Sequence, residues 1–389
     1  MNPAALEGVR VVDFSQVMAG PFCTMLLGDL GADVIKVEPP AGDLSRSMGG
    51  ERLRLRGNDH APFLALNRNK RSLVLDLSSA DDRAACLALL ETADVIVENF
   101  RPGVMRNLGI DYDTIAATNP RVVYASISGF GQSGPYAGRP GFDLIAQAMS
   151  GVMSVTGEPG GSPVKCGIPI ADLAAGLYAS HAILAALLSR VATGRGQYLD
   201  TSLFEAALGL SVWEATEFFA TNEPPQPHGS AHRLSAPYQA LRTADGHITV
   251  AALNARQWER LCTVIGRTDL ISDARFASNG DRMVNLHALV AELESALASA
   301  STAQWVERML AAGVPAGPIL NYQQVLSDAH TRARNMVEEI EHPVEGRIRT
   351  LGFPVKLGET PARVRRAPPQ LGEHTEEVLR ELGIERQTR

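Results

Sequence analysis

Over its first hundred residues the chain alternates short unbroken apolar runs with amphipathic stretches. "VRVVDF" reads as a buried strand, and "PFCTMLLGDLG" as a short helix with Pro21 near its start and Gly31 at its end. "ADVIKVE" predicts a second strand and "RSLVLDL" a third. "DDRAACLALLETA" predicts a helix that leads into the strand "DVIVEN", and "RVVYASISGF" continues the series. Strands that alternate with helices imply an α/β fold, a mostly parallel sheet covered on both faces.

From about Leu173 to Val191 the pattern becomes a long helix rich in Ala and Leu, closed by "TGRGQ". "TSLFEAALGLSVWEATEFFAT" reads as another helix. "NEPPQPHGSAH" then breaks the periodicity with three prolines and a glycine and marks a linker. Beyond it, "YQALRTADGHITVAAL" predicts a hairpin turning at Asp245-Gly246. Helices follow around 255–265, 283–299 and 302–312. The expected division is a large Rossmann-like domain from residues 1–212 with 331–389, a linker at 213–224, and a smaller α+β domain at 225–330. The tail "RAPPQLGEHTEEVLRELG" is turn chemistry followed by a short helix.

A chain of 389 residues is long for one core, which agrees with two domains. With 45% apolar and 20% charged residues, the composition is that of a soluble globular protein. No apolar run approaches the roughly 18 residues that would cross a bilayer, so no membrane partner is expected. The start, "MNPAALEGVRVVDF", lacks the basic region and apolar core of a secretory signal. Cys23, Cys86, Cys166 and Cys262 are scattered, without metal-type pairing or a disulfide framework. A cytoplasmic protein without metal or tightly bound cofactor is the simplest expectation. The net charge of -7 argues against nucleic acid as a partner. Any anionic ligand must be met by local basic residues.

The opening strand–helix–strand with Glu38 closing "VIKVE" invites a dinucleotide reading, but the fingerprint fails. "SQVMAGPFC" offers one glycine where G-x-G-x-x-G needs three. Basic residues cluster in "NRNKRS" (Arg68, Lys70, Arg71), "NFRPGVMR" (Arg101, Arg106) and "YAGRPGFD" (Arg139). They read either as solvated charge or as ligand contacts at predicted strand ends. His181 lies in an apolar helix and reads as a core residue, and no Ser sits at a G-x-S-x-G elbow. His232 and Arg233 in "GSAHRLSAPYQ" read as loop polarity or as recognition of an anionic substrate group.

Asp172 is the lone carboxylate in "GIPIADLAAG", just before the Ala/Leu helix. Asp is a favoured N-cap, and a carboxylate at a helix N-terminus is kept ionised by the dipole. Apolar neighbours strip it of water and make it a better nucleophile. The two readings are compatible.

The chain resembles the family III CoA-transferases, the group that contains formyl-CoA transferase, carnitine CoA-transferase and α-methylacyl-CoA racemase. The resemblance runs nearly end to end. It rests on "VVDFSQVMAGPFCTMLLGDLGADVIKVEPP", "NRNKRSLVLDL", "VENFRPGVMRNLG", "GFDLIAQAMSG", "GIPIADLAAG", "TGRGQYLDTSLFEA" and "APPQLGEHTEEVL". It implies a Rossmann-like large domain built from both chain ends, a small middle domain, and two subunits threaded through each other as an interlocked homodimer. It places the family's aspartate nucleophile on Asp172. It places CoA contacts on Met18 and Ala19, on Leu75, Asp76 and Leu77, on Asn99, Phe100 and Arg101, and on Arg139. Pro39 and Asn107 stand where relatives often carry arginine, so nucleotide binding leans on other basic residues such as Arg106.

The racemase branch needs a histidine immediately before the Asp of "DLIAQ". That position is Phe142, which carries no proton, so an epimerase is demoted to the alternative. A non-catalytic acyl-CoA-binding protein on the same fold is the other alternative, and Asp172 speaks against it. "HGSAHRLSAPYQ" occupies the region of the glycine-rich lid of formyl-CoA transferase. It is more like relatives that use short dicarboxylates with succinyl-CoA as donor, and His232 and Arg233 would then pair with a second carboxylate. The implied substrates are coenzyme A, acyl-CoA and a free carboxylic acid, and the backbone N–H groups of "SGFGQSG" are candidate oxyanion donors.

Overall fold

The computed structural model describes residues 3–57 and 59–385. The chain forms two compact units: Met1–Val152, Lys165–Thr216 and Ala329–Arg389 in the first, Met153–Val164 and Glu217–Asp328 in the second.

The first unit is built on a sheet of β1 (Arg10–Asp13), β2 (Asp33–Glu38), β3 (Lys70–Val74), β4 (Val95–Glu98), β5 (Val123–Ser128) and β6 (Tyr198–Ser202). The strand order is β3-β2-β1-β4-β5-β6 and every pairing is parallel. Successive residues of a strand face opposite sides, so one apolar run feeds two cores. Val11, Val34, Val95 and Val123 pack under the helices Ala19–Asp29 and Ile170–Thr193. Val12, Ile35, Ile96 and Tyr124 pack with Cys86, Leu89 and Leu90 of the helix Ala80–Glu91 on the other side. Burial on both faces is why these strands read as continuous apolar runs.

β6 corrects the sequence reading, which took "TSLFEAALGLSVWEATEFFAT" as one helix. Tyr198–Ser202 pairs with β5 at the sheet edge, and the helix that follows runs Leu203–Leu210 before a second, Val212–Thr221. The expected linker at 213–224 is therefore mostly helical, because the proline cluster begins only at Pro224.

The expectation that no apolar run approaches a membrane span also needs correction. Ile170–Thr193 has 24 residues and by length and composition is long enough to cross one. Its Ala171, Ala174, Ala175, Ala179 and Ile183 instead belong to the core over the sheet.

The second unit holds an antiparallel sheet of β7 (Tyr238–Arg242), β8 (His247–Ala251) and β9 (Ala316–Pro318). The helices Ala255–Val264, Leu286–Leu297 and Thr302–Ala311 cover it, and Leu241, Ile248, Leu261, Leu289, Leu293 and Trp305 form a core of its own. In the first unit a further hairpin, β10 (Val337–His342) with β11 (Gly346–Leu351), carries charges paired across its strands, with Arg347 3.2 Å from Glu341.

The basic run Arg68, Lys70 and Arg71 is not solvated surface charge. It lies at the N-terminal end of β3, away from the strand ends where α/β sheets bind ligands, and turns inward. Arg68 pairs with Asp29 (2.7 Å), Lys70 with Asp13 (3.0 Å) and Arg71 with Asp33 (2.6 Å). Glu38 is likewise spoken for, its carboxylate held by Arg46 (2.7 Å) and Ser72 (2.7 Å), so it cannot serve a ribose.

Candidate active site

In a parallel sheet of this order the chain reverses direction between β1 and β4, and a crevice opens at the carboxyl ends of those strands. A cavity of about 420 Å³ occupies that place. Its walls are the turn Gln16–Ala19 after β1, Asn99–Pro102 after β4, Ile127–Gly129 at the end of β5, the segment Arg139–Phe142, and Asp172. Close backbone approaches shape it. A Cβ on Gly129 would lie 2.7 Å from the Gly141 Cα, and a Cβ on Gly176 would lie 2.7 Å from the Ala19 carbonyl oxygen. Glycine at 176 thus lets the helix Ile170–Thr193 settle directly on the helix Ala19–Asp29.

Asp172 is the third residue of its helix, in the first turn and not at the cap. The cap is supplied from elsewhere: Asp143 Oδ1 accepts the Ala171 N–H (2.9 Å). Asp143 Oδ2 accepts from Gln147 Nε2 (2.7 Å), and Gln147 Oε1 accepts the Cys166 N–H (2.9 Å). Asp172 itself has no hydrogen bond or ion pair among the described residues. Burial first, and the charge of Asp143 second, push its carboxyl up to about 7. This overturns the expectation that the helix dipole keeps it fully ionised near neutrality. Withdrawal from water and the neighbouring acid both favour the protonated form.

The turn after β1 is held unusually. Val17 has φ +68°, a conformation that strains a β-branched residue by about 1–3 kcal/mol. The Asn99 carboxamide grips Gln16 on both sides, accepting its N–H (2.8 Å) and donating to its carbonyl (2.8 Å). The Val17 N–H points at the Asp43 carboxylate (3.2 Å). Asp43 is ion-paired with Lys36 at 2.8 Å, both side chains fully buried. Burial opposes charge on each, yet Asp13 and Asp43 hold Lys36 above its ordinary range, and Lys36 holds Asp43 below its own.

Met18, Ala19, Asn99, Phe100, Arg101, Arg139 and Asp172 thus meet around one cavity, with Phe142 72% exposed beside them. Neither Arg101 nor Arg139 has an ion-pair partner among the described residues, and the Arg139 guanidinium lies over the Tyr136 ring at 4.0 Å. Arg106 lines a neighbouring cavity that shares Arg101 and Pro102 with the first, and pairs with Asp111 (3.2 Å). At the base of that neighbour Glu98 is pushed up to about 7 by burial, while accepting the Phe100 N–H (2.8 Å). Leu75, Asp76 and Leu77 follow β3 at the sheet edge and line neither of these cavities, and Asp76 accepts from Ser78 (3.0 and 2.6 Å).

His232 and Arg233 belong to the second unit. The His232 ring stacks on Tyr238 at 4.8 Å, and its Nδ1 accepts the Leu234 N–H (3.1 Å). Arg233 pairs with Glu217 (3.1 Å) and donates to the Gln226 carbonyl (2.7 Å). In "SGFGQSG" the Gly131 N–H goes to Ser128 Oγ (2.9 Å) and the Gln132 N–H to Asp200 (3.0 Å), so these two amides are not oxyanion donors.

Sequence reasoning missed Asp143, Gln147, Asp43 and Lys36. Asp143 left a local signal as an acid in the first turn of the helix Asp143–Met149, and Asp43 left one as the cap of the short helix Leu44–Ser47.

The pattern of CoA-transferase family III matches residues 6–375. The chain is 38% identical over 378 residues to the succinyl-CoA:glutarate CoA-transferase of Mus musculus, covering 97% of this chain and 86% of that one. It is 39% identical over 388 residues to the succinyl-CoA:mesaconate CoA-transferase of Haloarcula hispanica, covering 98% and 97%. A crystal structure of a CAIB/BAIF family protein from Brucella suis superposes with TM-score 0.89 at 37% identity, covering 98% of this chain and 100% of that one. With a match that spans both units and relatives this close, the chain belongs to CoA-transferase family III.

Proposed function

We propose that this family III CoA-transferase moves CoA from succinyl-CoA to a short dicarboxylic acid, with Asp172 as the nucleophile. The observation that carries the reading is Asp172 itself, an unpaired carboxylate in a cavity at the carboxyl ends of β1 and β4. The names of the relatives, which act between succinyl-CoA and glutarate or mesaconate, support the substrate class.

The Asp172 oxygen attacks the donor thioester carbonyl. A C–O bond forms, the C–S bond breaks, and a mixed anhydride and CoA thiolate result. The thiolate then attacks the aspartyl carbonyl, forming a C–S bond and releasing the donor acid. The acceptor carboxylate attacks this aspartyl-CoA thioester, and the thiolate returns to the acceptor acyl group as Asp172 leaves. No proton is taken up or lost in the cycle, so no general base is required. A carboxylate suits both halves because it attacks and departs at nearly equal cost. Water exclusion matters, since an anhydride open to solvent hydrolyses.

Met18, Ala19, Asn99, Phe100 and Arg101 are assigned to acyl-CoA, as are Arg139 and Arg106, whose positive charge suits the CoA phosphates. Leu75, Asp76 and Leu77 are assigned to CoA on resemblance alone. His232 and Arg233 are assigned to the distal carboxylate of the acceptor. His232 Nδ1 accepts the Leu234 N–H, and the ring stacks on Tyr238, which fixes its orientation. Arg233, tied to Glu217, fixes the loop that presents it.

The test is Asp172→Asn. Exchange between succinyl-CoA and glutarate should disappear. The parent incubated with succinyl-CoA should become hydroxylamine-sensitive, with the adduct on the peptide that holds Asp172, and the variant should not. Stability should not fall. The folded state holds this carboxyl above its unfolded value, so its ionisation opposes folding as pH rises through that window, and the amide removes the penalty at pH 8. Exchange at a tenth of the parental rate, with deamidation excluded, would overturn the mechanism.

A further inference from the structure

We propose that the buried Lys36–Asp43 ion pair is a positioning device that holds Val17 in its left-handed conformation and so gives the turn Gln16–Ala19 the shape that receives acyl-CoA. The inference rests on the assignment of that turn to acyl-CoA.

The pair grips the turn on both sides of Gln16. Lys36 Nζ donates to the Ser15 carbonyl at 2.7 Å, and Asp43 accepts the Val17 N–H at 3.2 and 3.3 Å through its two oxygens. Asp43 is itself immobilised: it accepts from the Ser45 N–H (2.8 Å) and Ser45 Oγ (2.7 Å), and its own N–H donates to Glu38 (3.0 Å). Lys36 projects from β2, a strand in the middle of the sheet, and cannot follow the turn if it moves. A strained residue persists only where its surroundings over-determine it, and here two fixed charges and the Asn99 carboxamide do so.

Burying two full charges is a poor way to stabilise a fold, since a well-packed apolar pair of the same volume serves as well or better. What an apolar pair cannot do is accept an amide N–H and donate to a carbonyl two residues earlier. The strain falls on Val17, which lines the cavity with Asp172, so the ion pair acts on the place where substrate binds. Glycine adopts positive φ without strain, and a valine held there by outside contacts is a conformation enforced, not merely permitted.

The experiment measures CoA affinity by calorimetry, and melting temperature, for five variants. Val17→Gly is the reference for the rescue: glycine keeps the conformation accessible, and its affinity reports what the valine side chain itself contributes. Val17→Pro, which leaves both charged side chains in place, fixes φ near -65° and deletes the N–H that Asp43 accepts. It should weaken CoA by about tenfold or more, and it should also melt lower, because proline cannot take a positive φ and Asp43 loses a donor. Asp43→Asn should lose both affinity and stability. Adding Val17→Gly to Asp43→Asn should bring the affinity to within about threefold of the Val17→Gly protein while the melting temperature stays low. A purely structural pair would give no such rescue. Parental affinity in Val17→Pro, or an Asp43→Asn defect untouched by Val17→Gly, overturns the inference. If Asp43→Asn does not fold, Val17→Pro decides alone. Met18→Trp separates the two levels: parental CoA affinity in that variant sinks the assignment of the turn to acyl-CoA. Lost affinity there, with none lost in Val17→Pro, sinks only the role of the ion pair.

Discussion

Asp143 caps the helix that carries Asp172, accepting the N–H of Ala171 at 2.9 Å, and at the same time sets a negative charge beside the Asp172 carboxyl. The two acids divide what sequence alone assigned to one. Asp143, tied down by Gln147, satisfies the helix terminus, and Asp172 is left without a hydrogen-bond donor in a half-dry cavity. Such a carboxylate is a reactive nucleophile when ionised and is ionised only in part at neutral pH.

A pH dependence follows, and its sign is fixed. Only the ionised form of Asp172 attacks, so kcat/KM for succinyl-CoA should rise with pH and level off above a midpoint near 7. Asp143→Asn keeps an oxygen for the Ala171 N–H, gives up the Gln147 bond and removes the neighbouring charge. Its midpoint should fall below the parent's, yet remain above the ordinary carboxylate range because burial is the larger cause. Asp143→Ala, which loses the cap as well, should be less stable by about 0.5–2 kcal/mol. A midpoint unmoved in Asp143→Asn would show that the acids are not coupled.

The contact between Gly176 and the Ala19 carbonyl gives a second prediction. A side chain at 176 must push the helix Ile170–Thr193 off the helix Ala19–Asp29, and with it Asp172, one turn earlier, away from the turn at Met18. Gly176→Val should cost about 1–3 kcal/mol, as overpacking does, and lower exchange by more than that stability loss explains. Gly167→Ala, with nothing within 4 Å of the new Cβ, is the matched control and should melt and turn over like the parent. Both are read by calorimetry and steady-state rates. A Gly176→Val enzyme with parental kcat would show that the helix contact does not place Asp172.

What was legible in the sequence was whatever depends on neighbours in the chain. Val11 with Val12, and Val95 with Ile96, announce strands buried on both faces, and the glycine at 194 closes its helix at φ +71°. Asp172 stood out because its own surroundings are apolar. The rest is tertiary. β6 alternates at a sheet edge, where "YLDTS" has no unbroken apolar run to mark it. Arg68 and Arg71 look like surface charge until Asp29 and Asp33 arrive from other strands and helices. Lys36 sits in "VIKVE" as if pointing to solvent, and nothing nearby in the chain says that Asp43 will meet it in the interior. Asp143 precedes the residue it caps by 28 positions. A cap of that separation carries no periodic signature.

Assembly is the last prediction. The family resemblance implies interlocked subunits, and the outer face of the helix Ile170–Thr193 supplies a physical reason to expect association. Leu177, Leu184, Leu188 and Val191 recur at helical spacing and are exposed, Leu188 by 74% and Val191 by 83%, with Val212 at 62% on the next helix of the first unit but one. Exposed apolar side chains in a row along one helix face mark a surface suited to association. If subunits thread through each other, they cannot separate without unfolding. The expected species is then a homodimer from micromolar to nanomolar concentration, with a melting temperature that rises with concentration. Leu188→Arg with Val191→Arg should yield unfolded or aggregated chain, not a folded monomer. Sedimentation equilibrium and native mass spectrometry read the first expectation, and circular dichroism the second. A folded monomer that still exchanges CoA at high dilution would exclude the interlocked arrangement, because a threaded pair has no route to a native single chain.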